Sequence, residues 1–291
     1  MRSKKGGSGS GGIRLKIDHV TLAGSDLESI RQRFAELGLV TDYGGPHSNG
    51  VTHMALLGFD DGSYLELIST LEPDASSPLW DAQIRANAGP AAWAVGVDDL
   101  AREKDRLARA GVTARGPVPM TRTLLDGTML TWELLFPGDA PPGATLPFAI
   151  RDRTPRSQRV SPSASVAGTE LVGVAGVVVG VAAIEKSAAL YRRAYGWSEP
   201  LITGDHRLGA RLAGFQGTPV ILAEPAASAN WLAQRLGRYG ESPVAVLLTT
   251  ADLTQSAGRL PLLPAEPWLD GELAWIDPER LFGWRMGLLS G

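Results

Sequence analysis

Apolar and polar positions along this chain fall into a block that recurs four times. Each block opens on a short apolar strand, turns, runs into a helix with one apolar face, and stops at a glycine. The openings read IDHVTLAGSDL at 17–27, PAAWAVGVDDL at 90–100, AGVVVGVAAIE at 175–185 and PVAVLLTTADL at 243–253. In the first helix Leu27, Ile30, Phe34 and Leu37 share a face, Ser25 or Asp26 stands at the N-cap, and Gly38 suits the left-handed residue past the end. Gly111, Gly196 and Gly258 close the other three helices in the same way. Strand patterns follow each helix, at 53–59 and 63–69, at 130–136 and 146–151, at 209–215 and 218–223, and at 273–276 and 282–289. The first two are joined by Asp60-Asp61-Gly62, a hairpin signal. Each unit is therefore strand, helix, then about three strands, which predicts an α+β fold of four βαβββ units.

The stretch RDRTPRSQRVSPSASVAGT at 151–169 has no such period and is rich in Arg, Ser and Pro, so 153–169 reads as a linker. It separates a first domain at 13–152 from a second at 170–291. Residues 1–12, MRSKKGGSGSGG, read as a flexible tail or tag. Gly7 to Gly12 match G-x-G-x-x-G in letters only, because no strand precedes them and a strand, not a helix, follows. The tail begins with positive charge but has no apolar core behind it, so it is not read as a signal peptide. The longest apolar run, 173–184, is too short to span a bilayer.

Composition narrows the function classes. The chain has 291 residues, 44% of them hydrophobic, and a net charge of −3, so it offers no basic field for nucleic acid or an acidic membrane. It has no cysteine, which removes disulfides, thiolate metal sites and a cysteine nucleophile, and suits a cytoplasmic location. Serine-hydrolase, P-loop and H-E-x-x-H motifs are also absent.

The paired βαβββ units resemble the vicinal-oxygen-chelate superfamily, and the first half is similar to its glyoxalase-like group. The residues carrying that resemblance are IDHVTLAGSDL at 17–27, GGPHSNGVTHMALL at 44–57, DGSYLELIS at 61–69, Arg122, Asp126-Gly127, Trp132 in LTWELLF, and LPFAI at 146–150. The second half resembles a degenerate pair by pattern alone. The resemblance implies two open half-barrels with helices outside, each curled around a ligand space. It also implies a divalent metal (Zn, Fe, Mn, Ni or Co) held by first-strand and last-strand residues, with His19 and Glu66 at such positions as ligands and catalytic groups. Imidazole and carboxylate both suit such an ion, and a carboxylate inside Tyr64-Leu65-Glu66-Leu67-Ile68 is costly as core filling. Ala92, Gly176 and Ala245 occupy the corresponding places in the other units and bind no metal; 148–150 offers no ligand either. His47, His53, Tyr64, Trp93, Arg122 and Trp132 are the candidate substrate-binding residues. His53 lies on a strand whose facing a one-residue register change inverts. Trp93 and Trp132 fit either a ligand cavity or a packed core, and Arg122 either a bidentate clamp on a carboxylate or phosphate or a surface ion pair.

Two function classes follow. One is a metal-dependent lyase, isomerase or dioxygenase acting on a substrate with vicinal oxygens. The other is a metal-free small-molecule-binding protein that sequesters or senses its ligand. Both take a small molecule as partner, neither nucleic acid nor membrane, and both leave room for a homodimer. In the second half, Trp231, Trp268 and Trp284 fit the apolar surface of an interaction module.

Overall fold

The computed structural model describes residues 12–124, 126–269 and 271–290; the tail at 1–12 lies outside them but for Gly12. Unit one consists of β1 (Ile17–Ala23), α1 (Leu27–Glu36), β2 (Asp42–Pro46), β3 (Thr52–Gly58) and β4 (Tyr64–Thr70). After a short α2 (Asp81–Arg85), unit two repeats the order as β5 (Gly89–Gly96), α3 (Leu100–Arg109), β6 (Ala114–Thr123), β7 (Met129–Pro137) and β8 (Phe148–Asp152). Beyond α4 (Arg156–Arg159), unit three is β9 (Leu171–Gly180), α5 (Ile184–Tyr195), β10 (Leu201–Asp205), β11 (Ala210–Gly214) and β12 (Val220–Pro225). Then α6 (Trp231–Tyr239) leads into unit four: β13 (Ser242–Thr250), α7 (Leu253–Arg259), β14 (Glu266–Trp268), β15 (Gly271–Trp275) and β16 (Arg285–Ser290).

Local chemistry sets the helix ends. Asp26, Asp99 and Asp252 cap α1, α3 and α7 by accepting the backbone N–H three residues on. Ala183 has no such side chain at the start of α5, and the Glu224 carboxylate accepts the Ile184 N–H there instead, at 2.8 Å. Gly38, Gly111 and Gly196 adopt positive φ just past their helices. Gly258 does not: it lies inside α7, which runs on to Arg259 and leaves through an extended Leu260.

The units pair into two eight-stranded sheets, β2-β3-β4-β1-β5-β8-β7-β6 and β10-β11-β12-β9-β13-β16-β15-β14. In each, the first strands of two units run antiparallel at the centre, and each lies parallel to the last strand of its own unit. The centre of symmetry in the first sheet is the Val20–Trp93 pair, flanked by His19–Ala94 and Thr21–Ala92. In the second it is Val177–Val246, flanked by Gly176–Leu247 and Val178–Ala245. The two sheets are open, curled half-barrels with the helices between them.

Pleating then divides the side chains. Val20, Leu22, Leu65, Leu67, Trp93 and Val95 leave the outer face of the first sheet and join Val177, Val179, Val246 and Leu248 from the second in one continuous core. Helices α1, α3 and α5 add Ile30, Phe34, Leu107, Ile184 and Tyr191 to it. On the inner face of the second half Leu212, Ile221, Leu247, Trp268 and Trp275 form an apolar cluster with Leu232 of α6, and Gly176, Ile221, Leu247 and Trp268 line a cavity of about 180 Å³. Trp268 and Trp284, which the sequence offers as surface positions, are both buried. Segment 153–169 has no periodicity yet is packed: it carries α4, and Arg159, Ser163 and Val166 are buried.

Candidate functional site

The inner face of the first sheet encloses a cavity of about 150 Å³, the scale on which a benzene-sized molecule fits. Its two walls come from the two units. On the β1/β4 side stand His19, Thr21, Tyr64, Glu66 and Ile68, alternate residues of strands whose other set feeds the core. A bulge in β1 between Ile17 and His19 shifts the pleat, so that Ile17 enters the core while Asp18 and His19 turn toward the site. On the β5/β8/β7 side stand Ala92, Ala94, Trp132, Leu134, Phe148 and Ile150.

Symmetry explains the difference between the walls. The pseudo-twofold about Val20–Trp93 maps His19 onto Ala92 and Thr21 onto Ala94. Glu66 pairs with Thr21, and Phe148 with Ala94, so Phe148 takes the place of Glu66. On these matched strands unit one supplies a polar wall and unit two an apolar one, while β6 of unit two adds Arg122 to the lining. In the second half the same positions hold Gly176, Ile221, Ala245 and Gly287.

The polar wall is fully wired. His19 Nδ1 is 2.7 Å from Asp18 Oδ1, and the ring stacks on Tyr64 with centroids 4.7 Å apart. That leaves Nε2 facing Glu66 Oε2 at 3.9 Å. Thr21 donates its hydroxyl to the same oxygen at 2.9 Å, and His47 Nε2 lies 3.3 Å from Oε1. Burial alone pushes the Glu66 pKa up, but the His47 hydrogen bond, the two imidazoles and Thr21 outweigh it and bring it down to about 2. Burial likewise opposes ionisation of Asp18, and Arg159, His19 and Arg156 together hold it well below the usual carboxylate range. Arg159 donates to Asp18, to both oxygens of Asp152, and to the Tyr64 hydroxyl at 2.6 Å. Burial raises the Tyr64 pKa well above its ordinary value, so the phenol stays protonated.

Of the sequence candidates, the fold brings His19, His47, Tyr64, Glu66, Arg122 and Trp132 around one space. Two stand elsewhere. Trp93 takes the same outward facing as Val20 and is fully buried in the core shared by the halves. His53 points away between Thr52 and Met54, which do line the cavity, and sits against the exposed Tyr43 ring. Asp18, Met54, Met120, Phe148 and Arg159 are site residues that the sequence did not single out.

The fold implies a divalent ion, and the donor set can be tested against it. His19, with Nδ1 fixed by a carboxylate and Nε2 aimed at Glu66, has the orientation of a metal-bound histidine. Yet His47 and Thr21 already engage Glu66, and the symmetry mates are Ala92 and Phe148. Among the described residues no group of three or more His, Asp or Glu is arranged to hold an ion. His19 and Glu66 by themselves fall one short of the three protein ligands usual for a catalytic zinc.

Comparison with known proteins agrees with the fold. A hypothetical protein from Staphylococcus aureus superposes with a TM-score of 0.63 at 14% identity, covering 95% of this chain and all of that one (100%). A mutant 4-hydroxymandelate synthase from Streptomyces coelicolor gives 0.58 at 15% identity, covering 95% of this chain and 92% of that one. No curated protein sequence matches. Among the described residues no helix is long and apolar enough to cross a membrane. The sequence profile of the glyoxalase-like domain matches residues 17–195, more than half of the chain, and the chain belongs to that family within the vicinal-oxygen-chelate superfamily.

Proposed function

We propose that the first half binds a compact small molecule without a resident metal, and that the Asp18–His19 pair and Glu66 hold and move a proton on its oxygen-bearing end. The observation carrying this reading is the division of one cavity into a wired polar wall and an apolar wall. Asp18 fixes the His19 tautomer and leaves Nε2 as the group that exchanges a proton with the ligand. Glu66, whose pKa its hydrogen-bond partners hold below the ordinary carboxylate value, accepts a hydrogen bond from a ligand hydroxyl or stabilises a protonated His19. The apolar wall holds the ligand body and keeps water from that exchange.

A second reading is favoured by the orientation of His19 toward Glu66. Those two residues would hold one edge of a divalent ion, which supplies Lewis-acid chemistry for a lyase, isomerase or dioxygenase.

Ligand-dependent thermal shift, run with and without EDTA on protein purified without chelator, separates the readings. Under the first, small oxygenated aromatic and aliphatic ligands raise Tm equally in both conditions, because binding to the native state alone stabilises it. Proton NMR in deuterium oxide then shows solvent deuterium entering an acidic C–H of a bound ligand, and His19→Gln abolishes that exchange. A Tm that falls sharply with EDTA, together with stoichiometric metal lost in Glu66→Ala, overturns the metal-free reading.

A further inference from the structure

Among the described residues, Arg122 is the charged group around the cavity whose partners are inadequate. It projects from β6 and is 5% exposed. Its Nη1 reaches only the Met54 sulfur at 3.5 Å, its Nη2 the Arg159 backbone carbonyl at 3.2 Å, and its Nε has no partner among the described residues. A guanidinium has five N–H donors, and a buried one without a counter-charge is expensive. The neighbouring arginines cannot share one with it. Arg159 and Arg156 are committed to Asp18 and Asp152. Glu66, on the polar wall, is taken up by His47, Thr21 and His19 and makes no ion pair with Arg122. Burial draws the Arg122 pKa down, and Tyr64 and Glu66 oppose that only in part.

The charge count identifies the missing partner. Among the described residues this guanidinium has no carboxylate within ion-pair distance, so one negative charge is wanted. A phosphate would bring a second charge into a space that already holds an ionised Glu66. Arg122 touches the Met54 sulfur, and Met120, Trp132 and Phe148 give the cavity an apolar lining that suits a carbon body, beside the polar groups already taken up by one another.

We propose that Arg122 docks the carboxylate of a compact, apolar monocarboxylic acid, whose body lies against Met120, Trp132 and Phe148. This rests on the small-molecule reading above and adds the ligand's class. The planar fork of the guanidinium meets both carboxylate oxygens at once.

Calorimetric titration at pH 7 with phenylacetate and hexanoate, each against its neutral amide, tests the assignment. A charge-assisted hydrogen bond is worth about 1.5–3 kcal/mol, roughly a ten- to hundredfold change in Kd. The acids are therefore expected to bind the wild-type protein at least about tenfold more tightly than the amides. Arg122→Gln and Arg122→Met are expected to weaken the acids by about ten- to hundredfold and leave the amides unchanged. Arg122→Met should also melt at or above the wild-type temperature without ligand, because it removes an uncompensated buried charge.

Amides binding as tightly as acids would overturn the carboxylate assignment and leave the small-molecule cavity standing. Phenylphosphonate binding more tightly than phenylacetate would overturn the monoanion class. Failure of acids and amides alike would remove both this proposal and the reading beneath it. An unliganded Arg122→Met that melts more than about 5 °C lower would make Arg122 a structural clamp, contrary to the proposal.

Discussion

Replacing Arg159 by Met tests the claim that a segment with the composition of a linker secures the floor of the site. The Arg159 side chain is 4% exposed and donates to Asp18, Asp152 and Tyr64. Its removal leaves the Asp18 carboxylate, itself 2% exposed, with only His19 and Arg156. Truncating one side of a buried ion pair costs about 3–5 kcal/mol, mostly as the penalty on the charge left behind. At about 2–4 °C per kcal/mol for proteins approaching this size, Tm should fall by roughly 10 °C at pH 7. The sign of the pH dependence follows from Asp18. In the wild type burial raises its pKa, but Arg159, His19 and Arg156 outweigh that and hold it depressed, so its contribution to stability is present above the ordinary aspartate range and fades below it. In the variant the largest attraction is gone, the carboxyl protonates more readily, and the gap to wild type narrows as pH falls toward 3. Asp18→Asn placed in the Arg159→Met background should recover a good part of the loss. Circular-dichroism melts of wild type, both single variants and the double variant at pH 7 and pH 3 measure all of this. A single variant melting within about 2 °C of wild type at pH 7, or a double variant no more stable than Arg159→Met, would refute the reasoning.

Other expectations follow from the same geometry. Glu66, brought down to about 2 from an ordinary 4.5, stabilises the fold above pH 4.5 and loses that contribution as pH falls through 2. The loss is about 3 kcal/mol, and Glu66→Gln should flatten that part of the stability-against-pH curve measured by urea titration. Trp93→Ala should destabilise by about 3–5 kcal/mol and leave ligand affinity intact, since the indole fills the shared core. Trp132→Ala should do the reverse, costing little stability and changing affinity, because that ring is only partly buried and borders the cavity. Equal effects of the two tryptophan variants on both readouts would contradict the assignment of faces.

Much of the fold was legible because its signals are local. Alternation along 17–23 and 64–70, an aspartate before three of the four helices and a glycine after three of them need no partner elsewhere in the chain. Counting from His19 to Ala92 even contained the facing of Trp93: the same offset puts it on Val20, an outward residue. The side of the sheet taken by His53 was not legible, because alternation gives relative parity and only the β3–β4 register gives the absolute one.

By itself, then, the sequence determined four βαβββ units, their pairing, and the places of His19 and Glu66 on the first and last strands of unit one. Tertiary structure decided which face each strand presents and that the two halves share one core. It decided that the inner face of the second half is lined by apolar side chains, and that Arg159 folds back on Asp18 across 141 residues of chain. It also left Arg122 buried without a counter-charge. Periodicity records how a side chain sits relative to its neighbours in sequence. Charge compensation and cavity shape depend on groups far apart in the chain, which meet only once the sheets have curled.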